Sequence, residues 1–319
     1  MYPLFRGKSG INPMTTFRIP LSSIAKRALL PHHWWKLLQR STTTTDRAKN
    51  DAQLALYSKI LGSGFLHYGY FDSPDVSPDD ISFRDLALAQ QHYASVLLNY
   101  LIDRQSPVFD VGCGIGGFAN LVREQGFPVV CLTPDGHQAK FIRAKYPNFP
   151  LIQSKYEELR EEDYSEYFGA VVMSESFQYI NLKRAFNLTF KLLKMGGRWL
   201  ICDYFRVNDT GEKSGHHLED FLSMLREHPE FELKEVRDIT KNVLPTLMFA
   251  SHFIKNLGIP LVDFLEGKLM SRRPRLYYLL EEVFAEIHNG QENLLNTISP
   301  ENFLKTKKYQ LILLEKVGL

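Results

Sequence analysis

The sequence predicts a doubly wound α/β fold, and three observations carry that prediction. Between residues 108 and 203 short apolar runs alternate with amphipathic stretches at the spacing of βαβ units. One of those runs, Val108 to Val111, passes straight into a glycine-rich turn and then a helix, which is how ligand-binding strand ends are built in open α/β sheets. The chain has 319 residues, 44% of them apolar. That suffices for one large domain or two modest ones and is too apolar for a mainly disordered chain.

The elements follow in order. Residues 46 to 61 show helical spacing (Ala48, Ala52, Leu54, Ala55, Leu56, Ile60), stopped by Gly62 and Gly64. An aromatic cluster, Phe65 to Phe71, ends at the turn formers Asp72, Ser73 and Pro74. Ile81 to Asp103 reads as a strong helix. Strands are expected at Val108 to Val111, Val129 to Leu132, Leu151 to Gln153, Ala170 to Ser174 and Arg198 to Asp203. Helices fall between them at 116–125, 136–146, about 157–163 and 181–194, with Gly196-Gly197 as the stop after the last. Beyond Asp203, residues 216–228 look helical, Phe231 to Arg237 alternates like a strand, 241–297 is largely helical, and Tyr309 to Lys316 is a final strand. The stretch of about 204–305 is rich in Phe, Leu, Met and Tyr. It reads as a helical cap inserted before the last strand, suited to a hydrophobic or aromatic partner.

The first 45 residues stand apart. Arg6, Lys8, Arg18, Lys26, Arg27, Lys36 and Arg40 are their charges, and no Asp or Glu precedes Asp46. Three readings stay open: a basic segment lying on an anionic membrane surface through residues 1–40, an organelle transit peptide, or an N-terminal arm packed on the domain or partly disordered, in a cytoplasmic protein. No run approaches the roughly 18 apolar residues of a membrane-spanning helix. Three scattered cysteines, Cys113, Cys131 and Cys202, fit reduced thiols better than a disulfide framework or a cysteine-based metal site, so no metal is expected. With 38 Lys and Arg against 36 Asp and Glu there is no polyanion-binding charge, which argues against a nucleic-acid partner.

The chemistry concentrates at Val108-Phe109-Asp110-Val111-Gly112-Cys113-Gly114-Ile115-Gly116-Gly117. Glycine permits positive φ and removes the Cβ where a ligand must touch backbone. Two ligand classes fit the spacing. Gly112-x-Gly114-x-x-Gly117 satisfies the dinucleotide fingerprint, and Asp110-x-Gly112-x-Gly114-x-Gly116 satisfies the acidic-first pattern of S-adenosylmethionine sites. Charge separates them. A carboxylate two residues before the first glycine repels a pyrophosphate and attracts an ammonium.

Residues 46 to 319 resemble a class I, seven-strand S-adenosylmethionine-dependent methyltransferase, nearest the group around cyclopropane-fatty-acid synthases and the sterol and tocopherol methyltransferases. The motifs are His67-Tyr68-Gly69-Tyr70-Phe71, Asp110 to Gly117, Cys131 to Gln138, Ser174-Glu175-Ser176-Phe177-Gln178-Tyr179-Ile180 and Leu193 to Arg198. The resemblance implies a Rossmann-like sheet whose last strand, Tyr309 to Lys316, is antiparallel, and S-adenosyl-L-methionine as cofactor. It implies that Asp110 takes the methionine ammonium while Gly112, Cys113, Gly114 and Gly116 form the loop against the ligand. Leu132, Thr133 and Gln138 would lie by the ribose, Lys155, Tyr156 and Glu157 by the adenine, and Ser174 and Glu175 between cofactor and substrate. Tyr68 would cover the methionine end. Leu132 and Thr133 stand where the family usually has an acidic residue for the ribose, with Asp135 three positions late. Tyr179 stands where cyclopropane synthases have a histidine.

Methyl transfer from a sulfonium needs positioning and water exclusion more than a strong acid. Glu175, Tyr68 and His67 are the candidate catalytic groups, with Tyr70, Tyr179, His216, His217 and His252 behind them. The expected activity is methylation of a small hydrophobic or aromatic acceptor. An NAD(P)-dependent oxidoreductase using the same loop and a non-catalytic methyltransferase-like binding protein are the alternatives.

Overall fold

The computed structural model describes residues 64–208 and 214–318. The arm 1–45 and the helix expected over 46–61 lie outside those residues. The described chain opens with the aromatic cluster and helix α1, Phe83–Leu98, which starts on a capping box between Ser82 and Asp85. Strands and helices then alternate: β1 Val108–Val111, α2 Gly117–Glu124, β2 Val129–Leu132, α3 Gly136–Lys145, β3 Leu151–Ile152, β4 Phe168–Ser174, α4 Leu182–Leu192 and β5 Leu193–Arg206. Helix α5, Leu218–Glu227, leads to β6, Phe231–Asp238. Helices α6 Thr240–Phe253, α7 Ile259–Arg272, α8 Pro274–Thr297 and α9 Pro300–Thr306 precede β7, Lys307–Lys316.

The seven strands lie in the order β3-β2-β1-β4-β5-β7-β6. Strands β1 to β5 are parallel, and β7 runs antiparallel between β5 and β6. Strand order reverses between β1 and β4, so the crevice beyond their carboxyl ends is where an open α/β sheet takes its ligand. Both β1 and β2 are buried along their whole length, as a parallel sheet covered on both faces requires. One core cluster packs α1, α2 and α6 on one face, around Tyr93, Phe118 and Val243; the other packs α4 and α5, around Phe186, Trp199 and Phe221.

Three sequence expectations change. The stretch 157–163 forms two single 3₁₀ turns, Tyr156–Glu158 and Glu161–Asp163, separated by extended backbone at Leu159 and Arg160. Gly196-Gly197 does not cap the preceding helix. Helix α4 ends at Leu192, Leu193 is already extended, and Gly196, with φ +71°, bends the early part of β5. The helical run 241–297 is broken by a π-helical turn at Ile254–Gly258 and by Pro260 and Pro274, each in the first turn of a new helix.

Candidate active site

Two adjoining cavities occupy the crevice. The smaller, about 190 Å³, is lined by Gly64, Phe65, Leu66 and His67, by the glycine loop with Asp110, and by Gln138, Ser174 and Glu175. The larger, about 430 Å³, is lined by the ends of β1, β2 and β4 together with Thr133, Lys155, Tyr156, Glu157 and Tyr179. Gly112, Gln138 and Glu175 border both. Of the residues expected at the site, only Gly116 and Tyr68 line neither. Gly116 is the left-handed N-cap of α2. The Tyr68 ring turns edge-on to Tyr309, 5.6 Å between centroids, while its neighbours Phe65 to His67 face the smaller cavity.

Asp110 is buried, and its Oδ2 has no hydrogen-bond partner. Burial pushes its carboxyl up to about 7. A buried acceptor beside a cavity, with nothing to satisfy it, is an expensive arrangement that a cationic donor in the cavity corrects. The glycine loop serves packing as well as access. At Gly112, φ +76°, a Cβ would come 2.3 Å from Ser176 Cβ, so that glycine makes room for protein. At Gly114, φ +55°, the nearest atoms to a Cβ belong to Leu66 at 3.5 Å, so the backbone faces the cavity. Cys113 is held neutral by its hydrogen bond with Cys131 and by burial.

Glu175 follows β4 with φ +52°, a backbone state that a non-glycine residue adopts only when its surroundings impose it. The backbone N–H of Glu175 donates to Cys202 O at 3.0 Å, and its Oε1 accepts Tyr68 N–H at 2.7 Å and Tyr309 Oη–H at 2.8 Å. Burial still raises its carboxyl to about 7. Behind it a chain of hydroxyls continues, Tyr309 to Tyr93 at 2.9 Å and Tyr93 to Ser174 Oγ at 3.0 Å. Burial keeps both tyrosines protonated, so each can donate along the chain toward the carboxylate. Asp203, wholly buried nearby and raised to about 8 by burial, accepts Gln178 N–H at 3.0 Å and Tyr204 N–H at 2.8 Å.

His67 Nδ1 lies 2.7 Å from Tyr68 O, a carbonyl that can only accept, so Nδ1 carries the proton and Nε2 is left as a buried acceptor without a partner. Burial lowers its pKa to about 4, and the ring stacks on Tyr93 at 4.3 Å. It is therefore a neutral imidazole near pH 7. The surrounding segment is pinned from two helices. Gly69 N–H donates to Thr246 Oγ1 and Phe71 N–H to Asn242 O, both on α6, while Tyr70 N–H donates to Ala89 O on α1. The region about 204–305 thus reaches this cleft indirectly, since it contributes no lining residue to either cavity.

In the larger cavity Thr133 Oγ1 donates to Gln138 Oε1 at 2.6 Å, which leaves the Gln138 amide N–H groups to donate. Asp135 is occupied as the N-cap of α3, accepting His137 N–H and Gln138 N–H. Tyr156 is buried against Thr189, Glu157 accepts Asn181 N–H, and Lys155 pairs with Glu158 at 3.9 Å. Leu132 is buried at the end of β2. The remaining candidates lie outside both cavities, apart from Tyr179, which is 75% exposed at the mouth of the larger one. The His216 ring packs on Phe177, His217 precedes α5, His252 pairs with Asp79 at 3.1 Å, and Tyr70 meets His92. Among the described residues no group of three His, Cys, Asp or Glu side chains converges to hold a metal.

Sequence reasoning missed Tyr309, Tyr93 and Asp203. Asp203 had a signal, being an acid at the end of a buried strand. Tyr309 had none, since 134 residues separate it from Glu175.

The methyltransferase-domain family matches residues 109–201, the segment from β1 into β5. This segment is a methyltransferase domain. A sterol 4-C-methyltransferase of Caenorhabditis elegans is 25% identical over 138 residues, 39% of this chain and 41% of the relative, so the match spans less than half of that protein. Geranyl diphosphate C-methyltransferase of Streptomyces coelicolor, solved with Mg²⁺, geranyl diphosphate and S-adenosyl-L-homocysteine, superimposes with a TM-score of 0.58 at 17% identity, covering 87% of this chain and 99% of that one. The cyclase SpnF superimposes with a TM-score of 0.61 at 16% identity, covering 87% and 98%. Methyltransferases and a cyclase share this architecture, so the fold is established by these likenesses and the reaction has to be argued from the cleft.

Proposed function

We propose that the chain is an S-adenosylmethionine-dependent methyltransferase acting on a small acceptor of apolar character. The observation that carries the reading is Asp110, a buried carboxyl with an unpartnered oxygen beside a glycine loop that faces a cavity. It suits an ammonium and opposes a pyrophosphate, which disfavours the nicotinamide alternative. Asp110 would hold the methionine ammonium, Thr133 and Gln138 the ribose, and Lys155 to Glu157 the edge of the adenine. When bound, S-adenosylmethionine supplies a methyl group on a positively charged sulfur. The chain supplies orientation, exclusion of water beneath Phe65 to His67, and at Glu175 a carboxylate able to accept a proton from the acceptor. The apolar acceptor is supported by the likeness to a sterol methyltransferase and to a geranyl diphosphate methyltransferase.

Thermal denaturation with S-adenosylhomocysteine, NAD and NADP tests the cofactor. S-adenosylhomocysteine is expected to raise the melting temperature, as a ligand at a hundred times its Kd adds about 2.7 kcal/mol. Asp110→Asn is expected to abolish that shift, because it removes the charge an ammonium would meet, and to leave the free protein folded, because the amide has the carboxyl's shape and does not ionise. A shift with NAD and none with S-adenosylhomocysteine would overturn the proposal. Transfer of labelled methyl to a panel of sterols and isoprenoids, compared with polar amines, tests the acceptor class.

A further inference from the structure

The hairpin of α7 and α8 leaves much of its apolar surface uncovered. Neither helix has a buried residue. Its polar contacts lie between the helices: Glu266 accepts from Tyr277 Oη at 3.1 Å and pairs with His288 Nε2 at 2.7 Å, and Asp263 stands 4.0 Å from the same imidazole. Val262, Leu269, Leu276, Leu280 and Phe284 are half-buried, and a second apolar set is left exposed. Leu257, Leu261 and Leu265 recur at four-residue spacing with Phe264 beside them, and Leu279, Val283 and Ile287 do the same on α8; all are exposed, Phe264 by 59% and Tyr278 by 76%. Such a face costs free energy in water and marks a surface that is covered by something else.

The charge at the turn says what covers it. Lys268, Arg272, Arg273 and Arg275 fall within eight residues, all exposed, and none has an acidic partner among the described residues. Lys268 lies over the Phe264 ring at 5.3 Å, so apolar and cationic groups share one surface. Met270, Tyr278 and Leu279 are exposed alongside them. The acids of α7 are turned into the hairpin by His288, and those of α8 begin only at Glu281, a turn and a half beyond Arg275. Aromatic and aliphatic groups beside a cluster of unpaired cations form the surface that binds at the boundary of an anionic bilayer.

We propose that the α7–α8 hairpin docks the protein on an anionic lipid surface, its basic turn among the headgroups and its outward apolar residues at the acyl boundary. The same chain segment continues through the π-helical turn into α6, which pins the cover of the cleft at Gly69 and Phe71. A docked hairpin therefore sits at the end of the helix that holds the cleft's cover, which places a membrane-dissolved acceptor within the protein's reach. The docking itself stands independently of the proposed reaction.

Co-sedimentation of the full chain with mixed phosphatidylcholine–phosphatidylserine vesicles, against pure phosphatidylcholine vesicles, tests this. Binding is expected to the anionic vesicles and to weaken with salt. Reversing the turn (Lys268→Glu, Arg272→Glu, Arg273→Glu and Arg275→Glu) is expected to lower the partition coefficient by about tenfold or more, since each cation near the surface contributes about 1 kcal/mol. An equal reversal in the basic arm (Lys26→Glu, Arg27→Glu, Lys36→Glu, Arg40→Glu) is expected to lower it less. Tyr278→Ser with Leu279→Ser tests the apolar half and is expected to reduce binding at unchanged charge. Light scattering on the same samples reads the competing occupant. A stable dimer that Leu279→Ser dissociates, with no lipid binding, would overturn the proposal in favour of a second copy. Sedimentation unaffected by the turn reversal would overturn it as well.

Discussion

Glu175 combines a left-handed backbone, two donors on one carboxylate oxygen, and a place on the border of both cavities. If it accepts the acceptor's proton, methyl transfer rises as pH rises through about 7, where burial has moved its carboxyl. Glu175→Gln is expected to lower kcat by about 10²–10⁴-fold and to remove that pH dependence. Binding of S-adenosylhomocysteine, followed by calorimetry, should change little; a variant with wild-type kcat would exclude the role. A second test concerns Gly112. Gly112→Ala meets both a positive φ and the Ser176 Cβ at 2.3 Å, so a loss of about 2–5 kcal/mol is expected. Ser176→Gly in the same chain is expected to restore part of it, read as the coupling in a double-mutant cycle of urea midpoints. The glycine motif was legible because Asp110, Gly112 and Gly114 are contiguous in sequence. The role of Gly112 was not, because its neighbour Ser176 arrives from another strand end.

Helix α6 links the cap region to the cleft. Thr246 and Asn242 satisfy backbone groups of Gly69 and Phe71, and the segment they hold lays Phe65, Leu66 and His67 along the smaller cavity. Thr246→Ala leaves Gly69 N–H without its acceptor, at a cost of about 1–3 kcal/mol. Weaker affinity for S-adenosylhomocysteine by about tenfold is the expected result of a looser cover, measured by titration calorimetry, while the pH profile of transfer stays unchanged. Strand positions were readable because each apolar run ends at Gly, Pro or a polar turn; Val108 to Val111 and Val129 to Leu132 match β1 and β2 residue for residue. The interior of 241–297 was harder. Composition marks it as helical, but its breaks come from Pro260 and Pro274 and from a π-helical turn that no local periodicity announces.

Across the molecule, three buried carboxyls share one behaviour. Burial raises Asp110 and Glu175 to about 7 and Asp203 to about 8. Each folded-state value exceeds that of the unfolded chain, about 4 for a carboxyl. The folded protein therefore holds extra protons between about pH 4 and pH 8, and its stability falls as pH rises through that window. The cofactor-free protein is expected to melt several degrees lower near pH 8 than near pH 5.5 in differential scanning calorimetry. Asp110→Asn, or saturation with S-adenosylhomocysteine in the wild type, should make the slope shallower, leaving the part due to Glu175 and Asp203. The sheet's layers were legible from alternation alone. The Glu175–Tyr309 contact was not, because it joins the end of β4 to a strand that returns only after six further helices.

That return has a cost during synthesis. Strand β7 lies between β5 and β6, so a growing chain that has released β6 from the ribosome still lacks the strand that pairs with the β5 edge at Trp199, Leu200 and Ile201. Such an edge invites pairing with strangers. Only when the last strand slides into its slot is that edge covered.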